Sequence, residues 1–293
     1  MQLPNFFIIG APKSGTTALS EYLKLHPEVF FSTPKELHFF NDDFSHRHTQ
    51  SLNQYISYFS TANENHKAIG EGSVFYLSSN TAVQNILNLI PNAKFIILLR
   101  NPIEASYAWH WQAIYSFGEQ LYDFENAWRA QPERLIGKKI DPYNRVREAL
   151  QYGMLFKYGE HLQKILPIVS PQNLKIILFE NFKSNTDQTY QDVLAFLHLS
   201  PYHLDNYNIF NSSKHFQYKY VEQFLRICSR CRQRMHIRKS YGVITKLKKW
   251  NTKYAKRPPL SDKFKIELIN YFSSDLQKAS ELIRRDLTGW LRV

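Results

Sequence analysis

Apolar residues along the chain fall into two alternating patterns. Short runs that are apolar at nearly every position occur at Asn5–Ile9, Glu28–Phe31, Ala93–Leu99 and Leu174–Phe179. Such runs predict buried strands, and Ala-Lys-Phe-Ile-Ile-Leu-Leu at 93–99 reads as a central parallel strand covered on both faces. Between the runs, apolar residues recur at helical spacing. Leu19, Tyr22 and Leu23 share one side of Thr16–Leu25, and Val83, Ile86, Leu87 and Ile90 make a stripe along Asn80–Leu89. Further helices are predicted at Arg147–Leu166, Thr189–Leu197 and Asp262–Leu287. Strands alternating with helices predict an α/β fold, a three-layer α/β/α arrangement around a central parallel sheet. In such folds ligands sit beyond the carboxyl ends of the strands, which directs attention to the residues after Ile9, Phe31, Leu99 and Phe179.

Composition adds limits. With 43% hydrophobic and 15% aromatic residues among 293, the chain has ample material for a core and is not of the disordered class. It reads as a single domain, 1–293, with a basic insertion or lid at 206–258. Two cysteines exclude a disulfide framework. The sequence has no apolar run long enough to span a membrane, and Phe6-Phe7-Ile8-Ile9 is too short for a signal segment, so a cytoplasmic protein is expected.

Charge sharpens the picture. Thirty-seven Lys and Arg against 25 Asp and Glu leave +12. Residues 214–257 hold 14 of those bases and one acid, Glu222, so this segment is +13 and the rest of the chain −1. One basic block of that size points to an anionic partner or to a solvated helical face.

The first strand runs into Gly10-Ala11-Pro12-Lys13-Ser14-Gly15-Thr16-Thr17-Ala18-Leu19. Small residues turn the chain sharply, and a helix then starts with its unpaired N–H groups and positive end facing the same space. That is a cradle for an anion, with Lys13 adding charge and Thr16 and Thr17 adding hydroxyls. A nucleotide P-loop reads G-x-x-x-x-G-K-[ST]; Gly10 to Gly15 fit, but Thr16 stands where the lysine belongs. This disfavours magnesium-dependent NTP hydrolysis.

The stretch Pro12-Lys13-Ser14-Gly15-Thr16-Thr17-Ala18-Leu19 resembles the 5′-phosphosulfate loop of sulfotransferases that use 3′-phosphoadenosine 5′-phosphosulfate (PAPS), and the fold expected is correspondingly P-loop-like. The resemblance implies that the loop backbone, Thr16 and Thr17 hold the 5′-phosphate and that Lys13 neutralises charge at the bridging oxygen. Arg100-Asn101-Pro102-Ile103-Glu104 resembles the family's 3′-phosphate motif. A guanidinium at a strand end can bind phosphate through two parallel hydrogen bonds. The family's serine eight positions later is Ala108 here, with Ser106 nearby.

Lys35-Glu36-Leu37-His38-Phe39-Phe40 resembles the Lys-Glu-x-x-Phe-Phe stretch of heparan-type and bacterial members. There the glutamate is the proposed base. An alcohol becomes a competent nucleophile as its proton leaves, and a carboxylate within hydrogen-bond reach can take it. Glu36 is the candidate base and His38 a second base or an orienting group. Glu71-Gly72-Ser73 resembles a segment with lysine after the glutamate; Gly72 removes that cation, and Glu71 is a candidate to orient the acceptor. Lys253, Lys256 and Arg257 occupy the place of a basic loop that closes over the donor's 3′-phosphate and adenine. The similarity extends to Ile176–Phe182 and to the Asp286-Leu287-Thr288-Gly289-Trp290-Leu291 ending.

The function expected is transfer of a sulfuryl group from PAPS, leaving PAP, to a hydroxyl or amine of a glycan or small metabolite. No metal, nucleic acid or membrane span is expected. The alternatives are a P-loop kinase or NTPase and a non-enzymatic polyanion-binding protein. Trp109, Trp111 and Tyr115 either line an acceptor pocket or belong to the core. Cys228-Ser229-Arg230-Cys231 has no zinc-finger spacing around it and reads as two ordinary thiols.

Overall fold

The computed structural model describes residues 2–45, 48–142, 144, 146–207 and 257–292, and the backbone of two short strands at 214–216 and 252–254. Five strands form one parallel sheet: β1 (Phe6–Gly10), β2 (Val29–Phe31), β3 (Ala68–Gly72), β4 (Lys94–Leu99) and β5 (Leu174–Leu178). Their spatial order is β2-β3-β1-β4-β5, so β1 is central and the order reverses beside it. That reversal opens a crevice at the carboxyl ends, where the first loop leaves the sheet.

Side-chain alternation along β1 and β4 makes the three layers. Phe7, Ile9, Phe95, Ile97 and Leu99 belong to one buried cluster, with Trp109 of α4 (Pro102–Ser116) and Phe264, Leu268 and Phe272 of the final helix, α11 (Asp262–Ile283). Phe6, Ile8, Ile96 and Leu98 belong to the other, with Leu19 and Leu23 of α1 (Thr16–Leu23) and Tyr190, Val193 and Leu194 of α10 (Thr186–Phe196). Both faces are apolar, as a central parallel strand requires. Each such fully buried Phe, Ile or Leu contributes about 1.5–3 kcal/mol. The fold is the α/β/α arrangement that the alternating patterns predict.

Two segments depart from the sequence reading. Ala68–Gly72 (Ala-Ile-Gly-Glu-Gly) is a central strand with no strand pattern. A Cβ on Gly70 would lie 2.2 Å from Phe6 Cζ and 2.7 Å from Phe31 Cδ2, so glycine there lets the neighbouring rings close over the strand. Residues 147–166, expected as one helix, form three pieces: a 3₁₀ turn at Arg147–Leu150, α7 (Tyr152–Leu155) and α8 (Tyr158–Ile165). The break has a tertiary cause. The Asp275 carboxylate on α11 accepts from Gly159 N and Glu160 N at 2.9 Å each and caps a new helix start.

The shorter helices are α2 (Leu52–Ser57), α3 (Ala82–Leu89), α5 (Phe124–Arg129), α6 (Gln131–Leu135) and α9 (Phe179–Ser184). Residues 1–208 with 260–293 form one compact unit and 209–259 a second. Within the second, β6 (Lys214–Phe216) pairs antiparallel with β7 (Thr252–Tyr254). Among the described residues, no helix is long and apolar enough to cross a membrane.

Candidate active site at the strand ends

The loop after β1 is built as an anion cradle. Gly15 is the N-cap of α1 in the left-handed region, φ 93°, and no side chain caps the helix. The first-turn N–H groups are therefore left to donate elsewhere. Lys13 is also left-handed, φ 61°, and partly exposed. A non-glycine residue holds that conformation where the surroundings over-determine it, commonly at functional sites. Gly15, Thr17 and Ala18 are half-buried, whereas the side chains of Pro12, Ser14 and Thr16 are buried. Ser14 Oγ turns back to Pro12 O at 3.4 Å, so Ser14 presents backbone rather than hydroxyl.

Arg100 follows β4 directly. Asn101 caps α4 by accepting from Ile103 N at 2.9 Å, with Pro102 in the first turn, so the strand-to-helix turn fixes where Arg100 emerges. Its guanidinium lies 4.7 Å over the Phe179 ring at the end of β5, and Nη1 donates to Lys13 O at 3.2 Å. Two strand ends thus present a lysine and an arginine joined through a backbone carbonyl. The remaining face of the guanidinium pairs with Glu104 Oε2, at 2.7 Å from Nη2 and 3.2 Å from Nε. Ser106 is fully buried and donates to Ile103 O at 3.1 Å inside its own helix. Its hydroxyl is turned into the helix. Ala108 is likewise buried.

Glu36 and His38 lie in the segment after β2, and both are left-handed, φ 69° and 48°. Glu36 N donates to Gly72 O at 2.9 Å, and Glu36 Oε2 accepts from Val74 N at 2.9 Å, so the residue is clamped to the end of β3. Lys35 Nζ pairs with Oε1, and His38 Nε2 lies 3.2 Å from Oε2. Burial acts to raise the Glu36 pKa, but the Lys35 charge and the His38 hydrogen bond hold it down at about 2. Lys35 reaches the carboxylate by crossing Gly72, where a Cβ would lie 2.9 Å from Lys35 Cε. The His38 ring stacks on Phe75 at 5.0 Å.

Beneath this segment lies Glu71, with no solvent exposure. It accepts from Ser73 Oγ, from Tyr55 OH at 3.0 Å and from Tyr76 OH at 3.1 Å. Burial outweighs those donors and pushes its pKa up to about 7. Fully enclosed, it is held as the acceptor of three hydroxyls. Trp109 is also core: it is buried and donates to Ala149 O at 2.7 Å. Lys256, the side chains of Lys253 and Tyr115, and Cys228 and Cys231 lie outside the described residues, and Arg257 belongs to the second compact unit. Lys35, although it stands beside Glu36 in the Lys-Glu stretch, has no role legible in the sequence, nor do Tyr55, Tyr76 or Glu104. Tyr55 lies 16 residues from Glu71 in a different element, and no spacing could have joined them.

Residues 3–252 match the family described as sulfotransferase domain. The chain belongs to the sulfotransferase family. It is 26% identical over 307 aligned residues to the mouse bifunctional heparan sulfate N-deacetylase/N-sulfotransferase 3, a match covering 99% of this chain and 31% of that protein. Over 106 residues it is 39% identical to the membrane-associated sulfotransferase kil1 of Dictyostelium discoideum, covering 36% of this chain and 22% of that one. The chain therefore spans less than a third of the length of these curated relatives. The solved sulfotransferase of Alicyclobacillus acidocaldarius superposes with a TM-score of 0.75 and full coverage of both chains at 24% identity, a likeness of fold.

Proposed function

We propose that this sulfotransferase moves the sulfuryl group of PAPS to a hydroxyl or amine of an acceptor, with Glu36 as the base. The observation that carries the reading is the joint between Lys13 and Arg100, which puts a backbone cradle and two cations at adjacent strand ends. A nucleotide with a charged group at each end fits such a pair better than a single phosphate does.

In this reading the loop amides of 13–17 and Lys13 take the 5′-phosphosulfate, and Arg100 takes the 3′-phosphate. Glu36 accepts the proton of the acceptor as the acceptor's oxygen or nitrogen bonds to sulfur. The bond from sulfur to the phosphate oxygen breaks in line, and its electron pair stays on that oxygen. Lys13 and the loop amides stabilise the charge that develops there, and PAP leaves. The chain's part is positioning and electrostatics, as in phosphoryl transfer. Glu36 is ionised across the neutral range, so it stands ready as an acceptor of protons. Its ion pair with Lys35 must open or be shared when the acceptor arrives. A glycan acceptor is favoured by the name of the relative aligned over 99% of the chain, a heparan sulfate N-sulfotransferase.

Calorimetric titration with PAP, beside ATP and without magnesium, tests the donor half. Tight PAP binding that Lys13→Ala and Arg100→Ala each weaken by roughly 10- to 100-fold is expected, from loss of a charge-assisted contact. Equal binding of ATP, or none of PAP, defeats the reading and returns the question to a P-loop kinase.

A further inference from the structure

Glu71 is a carboxyl with no solvent exposure, at a sheet position where an apolar residue would cost less. Its three hydroxyl partners explain why it is there. Ser73 Oγ donates to Glu71 and receives His38 N at 3.0 Å. Tyr76 OH donates to Glu71 and receives Phe39 N at 2.9 Å and Phe40 N at 3.3 Å. Tyr55 OH donates as well, and its ring stacks on Phe39 at 4.7 Å. A hydroxyl can either give or receive along a given direction. Glu71 takes the protons of Ser73 and Tyr76, and their lone pairs are thereby turned to the backbone N–H groups of 38–40.

We propose that Glu71 is a positioning residue of the sulfuryl-transfer site: through Ser73 and Tyr76 it fixes the backbone of residues 38–40 and so aligns His38 with Glu36. The inference rests on Glu36 being the base. It accounts for the left-handed backbone at Glu36 and His38, which persists where surrounding bonds over-determine it. Leu37, wholly buried between them, anchors the segment from its apolar side, and the Glu71 network anchors it from the polar side. Tightly coupled networks of this kind rigidify when every member is satisfied and fail together when one is removed.

The test uses the full chain and four variants: Glu71→Gln, Glu71→Ala, Tyr76→Phe and Ser73→Ala. Three quantities are measured: amide hydrogen exchange at 38–40, PAP affinity by calorimetry, and acceptor-free breakdown of PAPS to PAP and sulfate. Glu71→Ala and Tyr76→Phe are expected to speed exchange at 38–40 by at least about ten-fold, with the β1 amides unchanged. PAPS breakdown falls by roughly 10- to 100-fold in both, as misplacement of a reacting group by about 1 Å does, with PAP affinity held within about two-fold. Glu71→Gln can still receive the tyrosine hydroxyls and donate to Ser73, and it keeps breakdown within about three-fold of the parent. Unaltered exchange and breakdown in Glu71→Ala overturn the inference. So does loss of PAP affinity in step with breakdown, which marks a general structural role. If Glu71→Ala does not fold, the two hydroxyl deletions carry the test. A parent protein that neither binds PAP nor consumes PAPS defeats the functional reading instead, and exchange alone then decides whether Glu71 holds the segment.

Discussion

Glu36 and Glu71 meet at the end of one strand and are driven in opposite directions. Glu36 is clamped there by Gly72 O and Val74 N, and the Lys35 charge and the His38 hydrogen bond hold its pKa at about 2 against burial. Glu71 lies beneath, and burial, reinforced by the Glu36 charge, raises it to about 7. Two carboxyls pushed apart by their surroundings are suited to different tasks, one exposed to chemistry and one to framework.

The pair makes stability depend on pH in two opposed windows. Glu71 is raised from 4.5 to about 7, so its contribution is present in full below pH 4.5 and is lost as pH rises through 7. The size of that loss is on the order of 3 kcal/mol. Glu36 is depressed, so its contribution is present above pH 4.5 and lost as pH falls toward 2. Urea unfolding of the parent and of Glu71→Gln at pH 5 and pH 8 isolates the first effect, since every other group titrates alike in both. The variant is expected to gain about 3 kcal/mol relative to the parent between these pH values. A constant difference would show that Glu71 does not titrate in the fold.

Glu36→Gln keeps the shape of the side chain and removes the base. PAPS turnover is expected to fall by roughly 10²- to 10⁴-fold while PAP affinity stays within about two-fold. Lys35→Met leaves the carboxylate but removes the charge that depresses it. The acid limb of the pH–rate profile then moves to higher pH. A profile that does not move would mean that the group titrating in the reaction is not Glu36.

The layers were legible wherever burial was complete on both faces. Lys94–Leu99 and Phe6–Gly10 carry their apolar runs openly, and the loop after Gly10 shows its turn and cradle residues in sequence. Ala68–Gly72 was not legible, because what makes it a strand lies in Phe6 and Phe31, whose rings fill the space above Gly70. The break at 156–157 was hidden for the same reason: Asp275, more than a hundred residues later, supplies the cap for α8. At the site, Lys13, Arg100, Glu36 and His38 were named from motifs, and the structure places Lys13 against Arg100 and Glu36 against His38. The Glu71 network joins residues from α2, β3 and the segment after β2 by hydrogen bonds, and these leave no periodicity to read.

Glu104 occupies the guanidinium face that Arg100 would turn toward a phosphate. Its side chain is 59% exposed, so solvent screens the pair and it is cheap to open; surface ion pairs contribute about 0.2–1 kcal/mol. Removing the acid also removes a like charge from beside the incoming phosphate. Glu104→Gln is therefore expected to tighten PAP binding by roughly two- to five-fold at low salt, with the gain fading as salt rises. Weaker binding in the variant would mean that Glu104 orients Arg100 rather than competing for it.

The buried pair Arg134–Glu119 decides the stability of the segment between α4 and α7. Nη2 lies 2.8 Å from Glu119 Oε1, both side chains are 1% exposed, and Tyr152 OH donates to the other carboxylate oxygen at 2.5 Å. The backbone N–H groups of Gln120 and Leu121 also donate to Oε1, at 2.8 Å each. Arg134→Met leaves a charged carboxylate enclosed with its cation gone, and a loss of about 3–5 kcal/mol is expected. Adding Glu119→Gln removes the stranded charge and restores part of that loss, because the amide oxygen can still receive the two backbone donors. Thermal unfolding of the single and double variants separates these contributions. Should the double variant be no more stable than Arg134→Met, packing of the arginine stem, not its charge, would hold this segment together.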